Sequence, residues 1–414
     1  MEKQNNVPKL RFPEFEGEWE LKKLEDLAIR GSGHTPNKAY KSYYDGNIPW
    51  VSLADSKSLD NGFIEKTTNT ISQEGIRNSS AVLHPIGSVL LSRDAGIGKS
   101  AVMKIDMAVS QHFIVWRPIE GKLSNWFLYY KLQIHKPEFE RIAMGNTIKT
   151  IGLPYFKTLS FIFPQLSEQT KIATFLSTID EKLQALKKKR SLLETYKKGV
   201  MQKVFLQQIR FKDDEGNEFE DWEVKTLGEL GNTYGGLSGK SKENFGKGKP
   251  YIQYKQIFDD SKIDISRFEL VEIGENETQN KVQFGDVFFT VSSETPNEIG
   301  MSSVLLNEIE ELYLNSFCFG FRANLLNELS PYFSKYLFRS KMFRTEIIKL
   351  AQGSTRYNMS KIQLLKIEIQ LPTLPEQIKI ADFLTAIDEK INKVDAQIKQ
   401  TELWKKGLLQ QMFV

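Results

Sequence analysis

The sequence predicts an α+β protein: two mixed α/β domains joined by two long antiparallel coiled-coil helices, arranged as a pseudo-two-fold internal repeat. Three observations lead there. Residues 166 to 183, "LSEQTKIATFLSTIDEKL", return at 374 to 391 as "LPEQIKIADFLTAIDEKI", an offset of 374 − 166 = 208 with twelve of eighteen positions identical. Behind both copies, apolar residues recur every seven positions with no proline to interrupt them. Between the copies the pattern changes to short β-like runs punctuated by Gly, Asn and Pro.

A length of 414 residues already exceeds what one core normally organises, and the repeat divides it almost in half. The first globular part, 1–160, holds the strand-like "GSVLLS" (87 to 92) and "HFIVWR" (112 to 117) and the helix-like "LSNWFLYYKLQI" (123 to 134). The second, 207–370, holds "GDVFFTV" (285 to 291), "CFGFRA" (318 to 323) and the helix-like "LSPYFSKYLFRS" (329 to 340). Matching segments frame both parts: "EWELKKLEDL" against "DWEVKTLGEL" near their starts, and "AMGNTIKTIGLPYFKTLSFIFP" against "AQGSTRYNMSKIQLLKIEIQLP" at their ends.

The helices are expected over 161–206 and 371–414. Ile172, Leu176, Ile179 and Leu183 open the apolar seam of the first, and Ile380, Leu384, Ile387 and Ile391 that of the second. Arg190 and Lys197 interrupt one row, Thr401 and Lys405 the other. About 40 residues at ~1.5 Å each give a rod of ~60 Å. A stripe so narrow and long needs an equal partner, and the only one in this chain is its duplicate, so the helices should pair antiparallel. Asp180-Glu181 and Asp388-Glu389 then fall beside the seam as solvated charge. Gly199 and Gly407 share a repeat position where Gly costs about 1 kcal/mol against Ala. Fraying near the helix end and close approach of another backbone are both open readings there.

Composition is that of an ordinary soluble globular chain, with 40% hydrophobic and 26% charged residues. A net charge of +4 permits a nucleic-acid partner without requiring one. The lone Cys318, in "SFCFGF", excludes an intramolecular disulfide and reads as a core thiol. The polar start and the lack of an eighteen-residue apolar run lead to the expectation of a cytoplasmic protein without a membrane span.

No catalytic constellation emerges. The stretch "RDAGIGKSAV" (93 to 102) ends like a phosphate-binding loop, but Arg93 stands where the first glycine is needed, so a lysine-bearing surface loop is the better reading. Four scattered histidines have no metal-ligand spacing. Two loops do look suited to a polar polymer: "GSGHTPNKAYKSYYDGNIPWVS" (31 to 52) and "YGGLSGKSKENFGKGKPYIQYKQ" (234 to 256) mix lysine with Asn, Gln, Ser and aromatic residues. A flexible solvated loop is the bland alternative.

The motif P-x-L-x-E-Q-x-K-I-A-x-F-L-x-x-I-D-E-K at 164 to 182 and 372 to 390, the "GNT" and "GST" segments before it, and "G-x-T-P…IPWVS" at 33 to 52 resemble the specificity subunit of type I restriction-modification systems. That resemblance implies two target-recognition domains reading an asymmetric, bipartite double-stranded DNA target, joined by helices that set the spacing and dock two methyltransferase subunits. A rod of ~60 Å spans about 18 base pairs at ~3.4 Å each. Adenine N6 methylation and restriction, with their S-adenosylmethionine, ATP and Mg, would belong to the methyltransferase and restriction subunits, and no catalytic or metal residue to this chain. By analogy the DNA-contacting residues are Thr35, Asn37, Lys38, Arg93 and Asn146 in the first half, and Ser238, Lys240, Tyr254, Arg356 and Asn358 in the second. The second half has no "TP…IPWVS" counterpart, which weakens transfer between the two loops. The competing reading is a non-enzymatic coiled-coil adapter that binds proteins or glycans.

Overall fold

The computed structural model describes residues 6–144 and 149–414. Contacts gather the chain into two units, Met1–Lys188 with Ala396–Val414, and Lys189–Asp395. The long helices, Leu166–Phe205 and Leu374–Met412, run unbroken for 40 and 39 residues. Each unit therefore contains the beginning of one long helix and the end of the other.

In the first unit, a five-stranded sheet runs in the order Ala28–Ser32, Phe113–Pro118, Val89–Ser92, Ser100–Met103 and Phe63–Ile64. Its central strands are buried on both faces, which is why "GSVLLS" and "HFIVWR" read as continuous apolar runs. A four-stranded sheet follows the order Asn69–Ile71, Tyr44–Val51, Met107–Val109 and Leu83–His84. The helix Asn125–Ile134 packs on the first sheet, capped by the Ser124 hydroxyl accepting from Phe127 N.

The second unit repeats this plan with different side chains. Gly231–Gly235, Cys318–Ala323, Val287–Thr290 and Ser302–Val304 form one sheet, and Glu269–Val271, Phe245–Ile252 and Tyr313–Leu314 the other. Even the irregularity recurs: Tyr44 and Ile48 both face Ile71, and Phe245 and Lys249 both face Val271. The loop that lacks a "TP…IPWVS" sequence thus leads into the same bulged strand. Cys318 is 2% exposed, as a core thiol should be.

The repeated E-Q pair explains how each domain is attached to its helix. Glu168, on the first turn, accepts from Arg11 Nε at 2.8 Å, Arg11 Nη2 at 2.7 Å and Trp19 Nε1 at 3.3 Å. Glu376 does the same with Arg210 Nε at 3.3 Å, Arg210 Nη2 at 2.9 Å and Trp222 Nε1 at 2.9 Å. Next to each carboxylate, a buried glutamine ties three backbone groups. Gln169 accepts from Ser124 N at 3.0 Å and donates to Pro164 O at 2.9 Å and Lys122 O at 3.4 Å. Gln377 accepts from Ser330 N at 2.9 Å and donates to Pro372 O at 2.9 Å and Glu328 O at 2.8 Å.

The seam is antiparallel within each unit, and the globular domain shares in covering it. Ile172, Leu176 and Ile179 lie in one core with Leu408, Met412 and domain residues such as Trp19 and Phe127. Ile380, Leu384 and Ile387 lie in another with Val204, Phe205 and Phe333. Leu183 is also buried, while Ile391 is half-buried. The cations that interrupt the apolar rows meet carboxylates from the facing helix: Lys405 binds Asp180, Arg190 binds Asp395 at 2.6 Å, and Lys197 binds Asp388 at 2.5 Å. This corrects the picture of solvated flanking charge. Asp180 and Asp388 are mostly buried and also accept from the domain, from Tyr130 at 2.8 Å and from Tyr336 at 2.8 Å and Lys335 at 2.7 Å; Glu181 and Glu389 alone are exposed.

Two stability predictions follow from these ties. Glu168→Ala leaves the Arg11 guanidinium and the Trp19 N–H without their acceptor, and thermal or urea unfolding should show a loss of about 3 kcal/mol. The exposed pair between Lys104 and Glu65 serves as the control, and Glu65→Ala should leave the transition in place. Burial raises the Asp388 pKa, but hydrogen bonds from Lys197 and Lys335 outweigh it and hold the carboxyl below its ordinary 3.8. Its stabilisation is complete above that unfolded value and lost as pH falls through the lower folded one. Asp388→Asn should melt below the wild type at neutral pH, the gap narrowing in melts taken below pH 3.8.

Candidate nucleic-acid interface

In the first unit, the loop after Ala28–Ser32 is pressed onto the turn that follows Met107–Val109. Gly33 makes this possible, since a methyl group there would stand 2.1 Å from Val109 O and 2.3 Å from Ser110 O. His34 N donates to Val109 O at 3.0 Å, and Trp50 Nε1 to His34 O at 3.1 Å. The loop then places Thr35, whose hydroxyl donates to Gln111 Oε1, and Asn37, whose Oδ1 accepts from Ala39 N at 3.0 Å. Thr35, Lys38, Trp50, Asn69, Gln111 and His112 line a cleft of about 570 Å³.

Arg93 borders this region. Its N–H donates to His112 O at 3.0 Å, its Nη2 to Thr150 Oγ1 at 3.3 Å, and its Nε lies 3.7 Å from Asp94 Oδ1. Asp94 is enclosed by partners: Thr150 Oγ1 donates to one oxygen, and His112 Nδ1 lies 2.6 Å from the other. Asn146 lies outside the described residues.

The second unit arranges the corresponding segments alike. Leu237 N donates to Leu314 O at 2.7 Å, and a methyl on Gly236 would stand 2.1 Å from Asn315 O. Ser238 is held through its backbone by Gln279, whose Oε1 accepts from Ser238 N at 3.1 Å and whose Nε2 donates to Ser238 O at 2.8 Å. The Lys240 side chain is 7% exposed, its ammonium committed to Glu277 and to Glu272 O at 2.6 Å, so it fastens the loop. That ammonium, with Gly274 N and Gln279, holds the Glu277 carboxyl down at about 2. Tyr254 stacks on Phe258 and donates to Ser292 O at 2.7 Å; burial pushes its phenol up. Ser292 pairs with Asn358 across a short ladder, which brings Tyr254, Asn358 and the exposed Arg356 to one place.

The mild positive charge is unevenly spent. Lys247 and Lys249 are paired with Glu272 and Glu311. Lys38, Lys41, Lys242, Lys255 and Arg356 are exposed and make no ion pair among the described residues. In these loops they are free to meet phosphate.

The phosphate-loop lookalike is a β-hairpin turn between Val89–Ser92 and Ser100–Met103, and Lys99 donates to Ser56 O at 2.9 Å. Ser100 begins a strand where a nucleotide-binding loop would begin a helix. Among the described residues no group of His, Cys, Asp or Glu is placed to hold a metal, and no helix is long and apolar enough to cross a membrane.

Sequence reading passed over the turn residues Gln111, His112 and Phe317, and the partners Asp94 and Thr150. A three-residue turn has no periodicity to betray it. It also passed over a duplicated aromatic surface on the long helices. Phe12, Phe175 and Trp404 form a chain of edge-on contacts at 5.8 and 6.1 Å; their repeat counterparts are Phe211 and Phe383, 5.5 Å apart, and Tyr196. Trp404 and Tyr196 are 49% and 52% exposed, and each is followed three residues later, on the same helix face, by Gly407 or Gly199. A methyl group at either glycine would have nothing within 4 Å, so among the described residues no other backbone approaches it.

Comparison with known proteins bears on these features. The family model for the type I restriction modification DNA specificity domain matches twice, over residues 16–195 and 219–401. The chain is 24% identical over 401 residues to the Type I restriction enzyme MjaIX specificity subunit of Methanocaldococcus jannaschii, covering 94% of this chain and 90% of that one. It is 26% identical over 428 residues to the MjaVIII specificity subunit of the same organism, covering 97% and 92%. Among solved structures, the type I restriction-modification S subunit from M. genitalium shares the fold, with a TM-score of 0.58 over 99% of both chains at 16% identity. The doubled domain match, which takes in both globular parts and most of both long helices, makes this chain a member of the type I restriction-modification specificity-subunit family.

Proposed function

We propose that this chain reads an asymmetric, two-part sequence in double-stranded DNA and presents it to two methyltransferase subunits, through which restriction subunits also act. The target-recognition domains are residues 1–160 and 207–370. The observation that carries this reading is one topology used twice with different chemistry at the equivalent loop tips. Thr35, Gln111 and His112 in the first unit stand where Ser238, Ser316 and Phe317 stand in the second. A symmetric target would need like side chains at these positions. Lys38, Lys41, Lys242, Lys255 and Arg356, which make no ion pair among the described residues, supply phosphate contacts. Adenine N6 chemistry, S-adenosylmethionine, ATP and Mg belong to the partner subunits, and the site of action is cytoplasmic.

The docking surface for the methyltransferase subunits is the duplicated aromatic patch, which argues for two copies of one partner. Large, half-exposed aromatic side chains beside a bare glycine suit a helix that packs closely against this one.

Co-expression with the methyltransferase subunit, followed by genome-wide mapping of methyladenine, tests the reading; a single split, non-palindromic motif is the expected result. Binding of the assembled complex to a duplex carrying that motif should weaken steeply as salt rises. An adapter for proteins or glycans would give neither result. The double variant Tyr196→Ala, Trp404→Ala should retain about a tenth or less of the methyltransferase subunit in co-purification while keeping its melting temperature.

A further inference from the structure

We propose that the turn before the core strand of each domain selects a base: Gln111 and His112 at one position of the first half-site, and Phe317 at one position of the second. This rests on the proposed function and assigns the reading residues within it. The turn has the same rigid frame in both units. Ser110 N donates to Val51 O at 2.8 Å, Phe113 N to Ser110 O at 3.1 Å, and Arg93 N to His112 O at 3.0 Å. In the second unit Asn315 N donates to Ile252 O at 3.0 Å, Cys318 N to Asn315 O at 3.1 Å, and Val291 N to Phe317 O at 3.1 Å. Gly33 and Gly236 wedge the preceding loop against each turn.

On this shared backbone frame the tip side chains differ, and in the first unit they are held ready. The Thr35 hydroxyl engages the oxygen of the exposed Gln111 amide, leaving the amide N–H groups free to donate. Asp94 takes Nδ1 of His112, so Nε2 is the ring nitrogen left over. Together they offer polar groups matched to the N7, O6 or amino positions of a base edge in the major groove. Phe317 is 60% exposed, an arrangement that no packing within the domain requires. Its frame is closed by Phe317 N donating to Asn315 Oδ1 at 2.8 Å. An apolar ring here matches the methyl group of thymine.

The test uses the full chain co-expressed with its methyltransferase subunit and reads the methyladenine motif. The variants are Gln111→Ala, His112→Phe, Phe317→His and Lys38→Ala. Gln111→Ala leaves the Asp94 cluster whole, so the test survives if His112→Phe fails to fold. Expected are a relaxed or changed base at one position of one half-site for Gln111→Ala and His112→Phe, and at one position of the other half-site for Phe317→His. The original base should lose about tenfold or more of its preference. Lys38→Ala should lower methylation at all sites with the motif unchanged. An unchanged motif in the three turn variants, whether methylation stays full or falls evenly in folded protein, would overturn the inference. A wild-type chain that directs no split motif would overturn the proposed function instead.

Discussion

A buried carboxylate on the first turn of each long helix holds the rest of this protein in place. Glu168 and Glu376 each gather an arginine and a tryptophan from the segment that leads into a domain, and the adjacent glutamine closes three backbone groups around the helix start. A helix bearing a narrow apolar stripe can rotate and slide on a domain surface at little cost. Directional bonds to a charge that has nowhere else to turn remove that freedom. The register of the seam, and with it the pairing of Asp180 and Asp388 with their lysines, depends on where these two turns are fixed.

The loops of the candidate interface are built on a different principle. Their backbones are locked by hydrogen bonds to strand ends and by glycines that admit no side chain, while the residues at the tips are held by few neighbours. The two domains can differ at His112 and Phe317 because both residues close the frame through their backbones and not through their side chains. Lys240 shows the opposite case: a cation in the right stretch of sequence that the fold has spent on a loop.

Periodicity made the helices legible, and duplication made the domains legible. The seam residues Ile172, Leu176, Ile380 and Leu384 and the strands around Val89 and Val287 fell where their patterns placed them. Asp180 and Asp388 were misread because a heptad count says which residues face the partner helix and nothing of the domain packed alongside. The equivalence of the loops at 31 to 52 and 234 to 256 was hidden because the fold keeps a bulge and a hydrogen-bond register there, and neither demands particular side chains. The turns at 110–112 and 315–317 were hidden for the same reason.

The first unit is completed by Ala396–Val414, and its core takes in Leu408, Met412 and Phe413. The second unit, Lys189–Asp395, is one uninterrupted stretch. The first core therefore joins segments far apart in the chain and carries the loop-closure entropy of bringing them together, a cost the contiguous second unit does not share. Removing Ala396–Val414 would take Leu408, Met412 and Phe413 out of the first core and leave the stretch Lys189–Asp395 whole.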